Sequence, residues 1–241
     1  MKIVILGDGL SGKEIHRITE WDVISRKNCA LDIRNVKTYK DIIKPYDIIV
    51  NCIGYTKTYI HDDENKKLHW DINYKGLIDL VNECNKQNKK LVHISTDYIY
   101  ANSCENAKET DTPVGLDNWY TYTKILGDGY VQAVSNNYLL LRTSFKPRPF
   151  PWKTAWTDLI GNFDYIDIIS DIIVKLINVN AQGIYNVGTD KKSMYDLAIQ
   201  TVPNCIAINC NLNIPINNVT MNIDKLNHTL NEITCNNSRL S

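Results

Sequence analysis

Lys2-Ile3-Val4-Ile5-Leu6-Gly7-Asp8-Gly9-Leu10-Ser11-Gly12 decides the class of this chain. Lys2 to Leu6 is a short apolar run with no alternation, as a strand buried on both faces of a parallel sheet requires. It passes directly into Gly7-x-Gly9-x-x-Gly12, and a helical stretch follows to about Thr19. That glycine spacing is weak alone; between a buried strand and a helix it reads as a dinucleotide turn. The first glycine makes the tight turn, the second lets backbone approach a pyrophosphate, and the third lets helix pack on strand. The amides of Leu10, Ser11 and Gly12 at the helix start then face the phosphates with a positive dipole end. A merely flexible glycine turn is the bland alternative.

Outward from there, strands and helices alternate. Trp21 to Ser25 reads as the second strand, ending in Ser25-Arg26-Lys27. An acid at that end would grip the ribose 2′-hydroxyl of NAD. Two cations and a hydroxyl favour a 2′-phosphate instead, so NADP(H) is expected, with NAD(H) the alternative. Asp32 lies beyond as an adenine neighbour; solvated surface charges are the competing reading of these residues. Asp47 to Cys52 is the next strand, and Cys52-Ile53-Gly54 again allows backbone to approach a ligand. Glu64 to Asn88 reads as one helix, with Leu68, Ile72, Leu77, Leu80 and Val81 on one side and Gly76 hinting at close packing.

Leu91 to Ser95 is a buried strand delivering Thr96-Asp97-Tyr98 at its carboxyl end, where open parallel sheets bind ligands. His93 within it reads as a satisfied core histidine. Asn102 to Gly115 is a polar loop, Tyr120 to about Val134 a helix, and Tyr138 to Arg142 a strand. Ile166 to Val179 is an apolar-faced helix and Gly183 to Val187 a strand. Ser193 with Asp196 makes a capping box for a helix to about Thr201. Ile206 to Val219 is strand and turn, Asn222 to Asn231 a short helix, and Asn236 to Ser241 a frayed end. The fold class is therefore α/β, a doubly wound parallel sheet of Rossmann type with a small C-terminal substrate-binding part. The expected division is 1–144 for the dinucleotide and 145–241 for substrate, with 163–190 returning to the sheet.

Composition narrows the function. Among 241 residues, Lys+Arg and Asp+Glu balance at 27 each, so the chain lacks the field of a nucleic-acid or acidic-membrane binder. No apolar run approaches a membrane span, and the start lacks a signal peptide's pattern, which suggests the cytoplasm. Seven scattered cysteines form no Cys-x-x-Cys. Neither a metal site nor a disulfide framework is expected.

Tyr120 stands four residues before Lys124, one turn apart on one helix face. An ammonium there stabilises the phenolate and makes Tyr120 a usable proton donor at neutral pH. A core-edge tyrosine beside a solvated lysine is the bland alternative. Thr143 to Thr157 mixes Phe145, Phe150, Trp152 and Trp156 with Lys146, Arg148 and Lys153. Aromatics for stacking beside cations for phosphate suit a nucleotide-linked ligand, and a packed, proline-stiffened loop is the other reading.

Taken in order, the glycine turn, Asn51-Cys52-Ile53-Gly54, Ile72-Asn73-Tyr74-Lys75-Gly76, Ser95-Thr96-Asp97-Tyr98-Ile99-Tyr100, Tyr120-x-x-x-Lys124 and Leu141-Arg142-Thr143-Ser144-Phe145 resemble the extended short-chain dehydrogenase/reductase superfamily. Within it, the chain looks most like the dTDP-4-dehydrorhamnose reductase family, over about residues 1–190. The resemblance implies NADPH-dependent reduction of the C4 ketone of a nucleotide-linked 4-keto-6-deoxyhexose. It implies a tetrad of Asn73, Thr96, Tyr120 and Lys124. Tyr120 would protonate the C4 oxygen, Lys124 would bond the nicotinamide ribose, Thr96 would hold the carbonyl, and Asn73 would order a relay water. Thr96, Asp97, Tyr98, Tyr120, Phe145 and Lys146 would face the sugar nucleotide. A homodimer is compatible with the fold. The chain departs from the family in being shorter, with Phe145 for a tryptophan and Asp128 for a glutamate. Tyr98 also stands where epimerising relatives carry a cysteine. A bifunctional 3-epimerase/4-reductase and a non-catalytic nucleotide-binding regulatory subunit are the alternatives.

Overall fold

The strand β1 (Ile3–Leu6) is buried at every residue, so its apolar run serves two faces. The computed structural model of the chain describes residues 1–58, 62–101, 103, 105–114, 118–210 and 218–238. They divide into two compact units, Met1–Ser95 with Leu116–Leu140 and Thr96–Gly115 with Leu141–Ser241.

In the first unit, β1 is followed by α1 (Leu10–Thr19), β2 (Asp22–Ile24) and the single turn α2 (Arg26–Cys29). Then come β3 (Ile48–Asn51), α3 (Asp63–Leu68), a π-helical stretch at His69–Lys75 and α4 (Gly76–Lys86). β4 (Lys90–Ile94), α5 (Trp119–Val134) and the first half of β5 (Tyr138–Thr143) complete it. The strands run in the order β5-β4-β3-β1-β2. β1 pairs in parallel with β2 and β3, and β3 with β4. Ile5, Ile49, Val50, Leu91, Val92 and Leu140 are wholly buried in this sheet, and Ile15, Leu80 and Val81 are buried on its helices. Each such side chain contributes about 1.5–3 kcal/mol through removal from water.

The helix expected over Glu64 to Asn88 is interrupted in kind, not direction, by the π-helical stretch. A π turn adds one residue to the ladder and re-aims side chains, often at functional sites. Gly76 does mark close packing: a Cβ there would sit 2.8 Å from Ile33 Cγ2. Gly127 does the same between α4 and α5, where a Cβ would lie 2.8 Å from Leu77 Cδ2.

The second unit takes up β5, with β10 (Gly183–Val187) as its neighbour. Before β10 come β6 (Phe145–Lys146), β7 (Thr154–Trp156), β8 (Ile160–Gly161), β9 (Asp164–Tyr165) and α6 (Ile166–Asn178). After it come β11 (Lys192–Ser193), α7 (Met194–Ile199), β12 (Ile206–Ile208), β13 (Asn218–Val219) and α8 (Asp224–Ser238). The short strands pair as β11-β8-β13, β12-β7 and β6-β9. Phe150, Leu159, Phe163, Tyr165, Leu197 and Val219 are among the buried residues of its core.

Two stretches differ from the sequence reading. The segment from Thr143 to Thr157 contains β6 and β7, whose two- and three-residue pairings are too short to leave a periodic signal. α8 outruns the expected Asn222–Asn231 and reaches Ser238. Part of the expected frayed end, 239–241, lies outside the described residues, as do Cys104 and 211–217. The Ser193–Asp196 capping box is present in both directions, with Asp196 N donating to Ser193 Oγ and Ser193 N to Asp196 Oδ2, each at 3.0 Å.

Candidate functional site

The glycine turn is shaped from within. Gly7 has φ +102°, a conformation that L side chains rarely adopt. A Cβ on Gly12 would fall 2.0 Å from the Gly7 carbonyl oxygen, so only glycine lets α1 start there. At Gly9 a Cβ would meet nothing within 4 Å. Gly9 caps α1 with no side-chain hydrogen bond, and no acid occupies the first turn. Backbone donors and open space are what a diphosphate needs, so the turn fits one.

A pocket of about 310 Å³ lies beside it. Gly7, Gly9, Ser25, Arg26, Lys27, Asp32, Cys52, Ile53 and Gly54, all expected from sequence, line it. Leu10, Ser11 and Gly12 are not among its lining residues and form the start of α1 behind it. Asp8, Leu31, Ile33 and Ile72 line it too and were not foreseen. Leu31 and Ile33 carry a faint alternation that could have flagged them; Asp8 offers no signal beyond its place between glycines.

The polar residues of the pocket are already partly engaged. Ser25 caps α2, its Oγ accepting from Lys27 N at 3.2 Å while Ser25 N donates to Asn28 Oδ1 at 2.7 Å. Its hydroxyl therefore holds the loop that lines the pocket. Lys27 Nζ sits 3.4 Å from Asp8 Oδ2. Asp32 is gripped by Arg34 through Nε at 2.9 Å and Nη2 at 2.6 Å, which holds its carboxyl below the usual range. Burial pushes the Cys52 thiol up to about 12, so it stays a neutral wall.

Elsewhere in the first unit, α5 begins at Asn118, whose Oδ1 accepts from Thr121 N at 2.9 Å. That cap starts the helix one residue before Tyr120. Lys124, one turn on, is buried rather than solvated. Its Nζ donates to the Ile94 carbonyl at 2.8 Å and lies 3.1 Å from His93 Nε2. Burial lowers its pKa to about 8, opposed by the Asp128 charge.

Asn73 lies in the π-helical stretch and grips the backbone of Tyr55 twice. Its Oδ1 accepts from Tyr55 N at 2.7 Å, and its Nδ2 donates to Tyr55 O at 2.9 Å. The amide thereby pins the segment that follows Gly54. Asn73 Nδ2 also lies 3.2 Å from His69 Nδ1, and the His69 ring meets the Tyr120 ring edge-on at 5.9 Å between centroids. His69 was missed because a single histidine on an amphipathic stretch carries no pattern.

In the second unit, Thr96 caps a short 3₁₀ turn at Asp97–Tyr100, its Oγ1 accepting from Tyr98 N at 3.3 Å. Asp97 is wholly buried, and its Oδ2 has no hydrogen-bond partner among the described residues. Burial raises its carboxyl to about 7, against the pull of Lys146, whose own pKa burial lowers. Tyr98 packs on the core of this unit, and Phe145 pairs across from Asp164 in β6-β9. Thr96, Asp97 and Lys146 thus form a second polar cluster. Among the described residues, no group of three or more His, Cys, Asp or Glu could hold a metal ion. No described helix is long and apolar enough to cross a membrane.

A parallel sheet with flanking helices and a glycine turn at the end of its first strand defines a Rossmann-like α/β protein. The chain belongs to the RmlD substrate binding domain family, whose model matches residues 1–146. It is 28% identical over 124 residues to a dTDP-4-dehydrorhamnose reductase of Mycolicibacterium smegmatis, covering 51% of this chain and 38% of that one. It is 26% identical over 118 residues to a probable low-salt glycan biosynthesis reductase of Haloferax volcanii, covering 48% and 39%. The matches thus span well under half of those relatives' lengths. Its fold is similar to that of a Bacillus anthracis dTDP-4-dehydrorhamnose reductase solved in complex with NADP, with TM-score 0.80, 23% identity, and 95% and 93% of the two chains covered. It is also similar to a Thermus thermophilus UDP-glucose 4-epimerase complexed with NAD, with TM-score 0.75, 16% identity, and 96% and 93% covered.

Proposed function

We propose that the chain reduces the C4 ketone of a nucleotide-linked 4-keto-6-deoxyhexose, with NADPH as reductant and Tyr120 as proton donor. One observation carries the reading: Lys124, one turn beyond Tyr120, is buried and held by the Ile94 carbonyl rather than left in solvent. A bland surface lysine would not be anchored there. The family membership and the reductase relatives support the substrate class.

When bound, the reduced nicotinamide supplies the hydride. Gly7, Gly9 and the amides opening α1 would bind its diphosphate, and Ser25, Arg26 and Lys27 its 2′-phosphate. Cys52, Ile53 and Gly54 would flank it, and Lys124 would bond the ribose. Tyr120 hands its phenolic proton to the C4 oxygen as the carbonyl becomes an alcohol. Lys124 in its cationic form lowers the cost of the phenolate left behind. Thr96 would donate to the same oxygen, and Asn73 would keep the post-Gly54 segment in place. Asp97, Tyr98, Phe145 and Lys146 would meet the sugar nucleotide.

Incubation with NADPH and dTDP-4-dehydrorhamnose should consume NADPH absorbance. Tyr120→Phe should lower kcat about 10²–10⁴-fold, the usual worth of a positioned proton donor. Unchanged turnover in that variant would remove Tyr120 from the role. Asp97 supports a second reading, since a buried carboxyl near pKa 7 suits proton exchange at the carbon beside the ketone. Deuterium from solvent at C3 or C5 of the product would identify a coupled epimerisation.

A further inference from the structure

Asn51 and His93 stand opposite each other on β3 and β4, and Lys124 reaches His93 from α5. All three are buried, at 0%, 2% and 4% exposure, so each polar atom must find its partner within the protein. The bond directions can then be followed one by one. The Ile53 amide can only donate, and it reaches Asn51 Oδ1 at 3.1 Å. That sets the Asn51 amide so that its NH₂ faces His93 Nδ1, also at 3.1 Å. Nδ1 must therefore accept. A neutral imidazole that accepts on one nitrogen carries its proton on the other, and Nε2 points at Lys124 Nζ.

An ammonium has three donors and no lone pair. Against Nε2–H it would place donor on donor. A charged imidazole does not help, because its Nδ1–H would then oppose the Asn51 NH₂. Burial in any case holds His93 neutral, and a charged Lys124 would press the same way. The chain of bonds closes when Lys124 is an amine, donating to Ile94 O and accepting from His93 Nε2–H.

We propose that His93 and Asn51 are positioning residues acting through Lys124, forming a buried relay that reverses when Lys124 changes charge. This deepens, and rests on, the assignment of Lys124 as the partner of Tyr120. With Lys124 an amine, the imidazole proton sits on Nε2 and the Asn51 oxygen holds Ile53 N–H. When one proton enters Lys124, the imidazole keeps its single proton but carries it on Nδ1. The Asn51 amide then turns its oxygen to Nδ1 and releases the Ile53 amide, a lining residue of the pocket. The relay thus links the charge of Lys124 to a backbone donor in the cofactor pocket. It also stabilises the amine that remains once Lys124 has passed its proton to the Tyr120 phenolate.

The titratable groups beside Lys124 include His93 from β4 and Asp128 from its own helix, whose carboxylate favours the cation, with Tyr120 one turn before it on the proposed function. From the π-helical stretch packed on α5 comes His69, which lies one turn away beside Tyr120. α4 meets α5 at the apolar contact of Leu77 beside Gly127.

The test is ¹⁵N NMR of the full chain, with His93 ring nitrogens assigned by their loss in His93→Gln and Lys124 followed at Nζ. The expected result is an Nε2–H tautomer at alkaline pH that moves to Nδ1–H as Lys124 takes up its proton, with the ring neutral throughout. Lys124→Met, which cannot change charge, should keep the Nε2–H form at every pH. Asn51→Asp offers acceptors to both Ile53 N–H and Nδ1–H, so it should lock Nδ1–H and raise the proton affinity of Lys124 about tenfold. A single tautomer across the titration in the wild type overturns the relay, as does a tautomer change that persists in Lys124→Met. If Asn51→Asp fails to fold, the Lys124→Met comparison decides alone. None of these readouts needs turnover, so the relay stands or falls separately from the reductase assignment.

Discussion

The glycine turn of the first unit and the Asp97–Lys146 pair of the second are both places where polar groups are held in a fixed arrangement, but they are built differently. In the turn, the tightest constraint is local, a Cβ on Gly12 meeting the Gly7 carbonyl, while Ile24 and Ile53 from later segments also bound Gly7. The Asp97 carboxyl takes its character from burial in the second unit, opposed by the charge of Lys146 on a separate strand far along the chain. Local construction leaves a pattern that can be read; assembly from distant segments does not. It also makes the two features fail differently when a single group is changed.

The largest expected effect lies in the turn. Gly12→Ala drives a Cβ against the Gly7 carbonyl oxygen at 2.0 Å and its carbon at 3.0 Å, both backbone atoms that cannot swing aside. The turn must open, at a cost of about 3 kcal/mol, the upper range for overpacking. On the proposed function, NADPH affinity should fall with it, read by fluorescence titration. Gly9→Ala is the contrasting change, because a Cβ there meets nothing. Its unfolding free energy should fall by only about 1 kcal/mol, the worth of a glycine over an alanine at an N-cap, while NADPH affinity drops. Equal losses of fold and affinity in both variants would mean that Gly9 serves the turn rather than a phosphate.

This contrast also explains what could be read in advance. The order of strands and helices through Thr143, the pocket residues Gly7, Gly9, Ser25 to Lys27, Asp32 and Cys52 to Gly54, and the Tyr120–Lys124 spacing follow from local periodicity and turn chemistry. His69 could not be anticipated, because its position depends on a π turn with no signal of its own. The partnership of His93 with Lys124 was equally hidden. His93 reads as a satisfied core histidine, which it is, but its partner arrives from a helix some thirty residues on. The small sheets of the second unit escape for the same reason: strands of two or three residues gain their identity only from their neighbours.

A pH experiment tests the distant construction, with a smaller expected effect. The Asp97 carboxyl rises from its ordinary 3.8 to about 7 on folding. Between those values the folded state keeps a proton that the unfolded state has released. The Asp97 contribution to stability therefore falls as pH rises through this window and levels off above it. Asp97→Asn removes the titration, so relative to that variant wild type should lose stability between pH 4.5 and 8. Each tenfold difference in proton affinity is worth about 1.4 kcal/mol, and the shift to about 7 already includes the opposing Lys146 charge. Urea unfolding midpoints at the two pH values are the measurement. Parallel pH dependence in the two proteins would show that Asp97 is not held in the protonated form.

The smallest effect separates locality from location. Ser193 and Asp196 belong to the second unit, yet their reciprocal bonds lie within four residues and could be read directly from the sequence. Ser193→Ala removes the oxygen that accepts from Asp196 N and should cost about 1 kcal/mol, the usual worth of an N-cap. Ser193→Thr, which keeps the oxygen, should recover most of it. Both variants should bind NADPH as wild type does, because the cap supports α7 and lines no part of the pocket. A loss well above 2 kcal/mol in Ser193→Ala would mean that the cap also holds β11 against β8, where Ser193 pairs with Ile160. The motif would then be read locally but would act over a distance, and the two kinds of construction would meet in one residue.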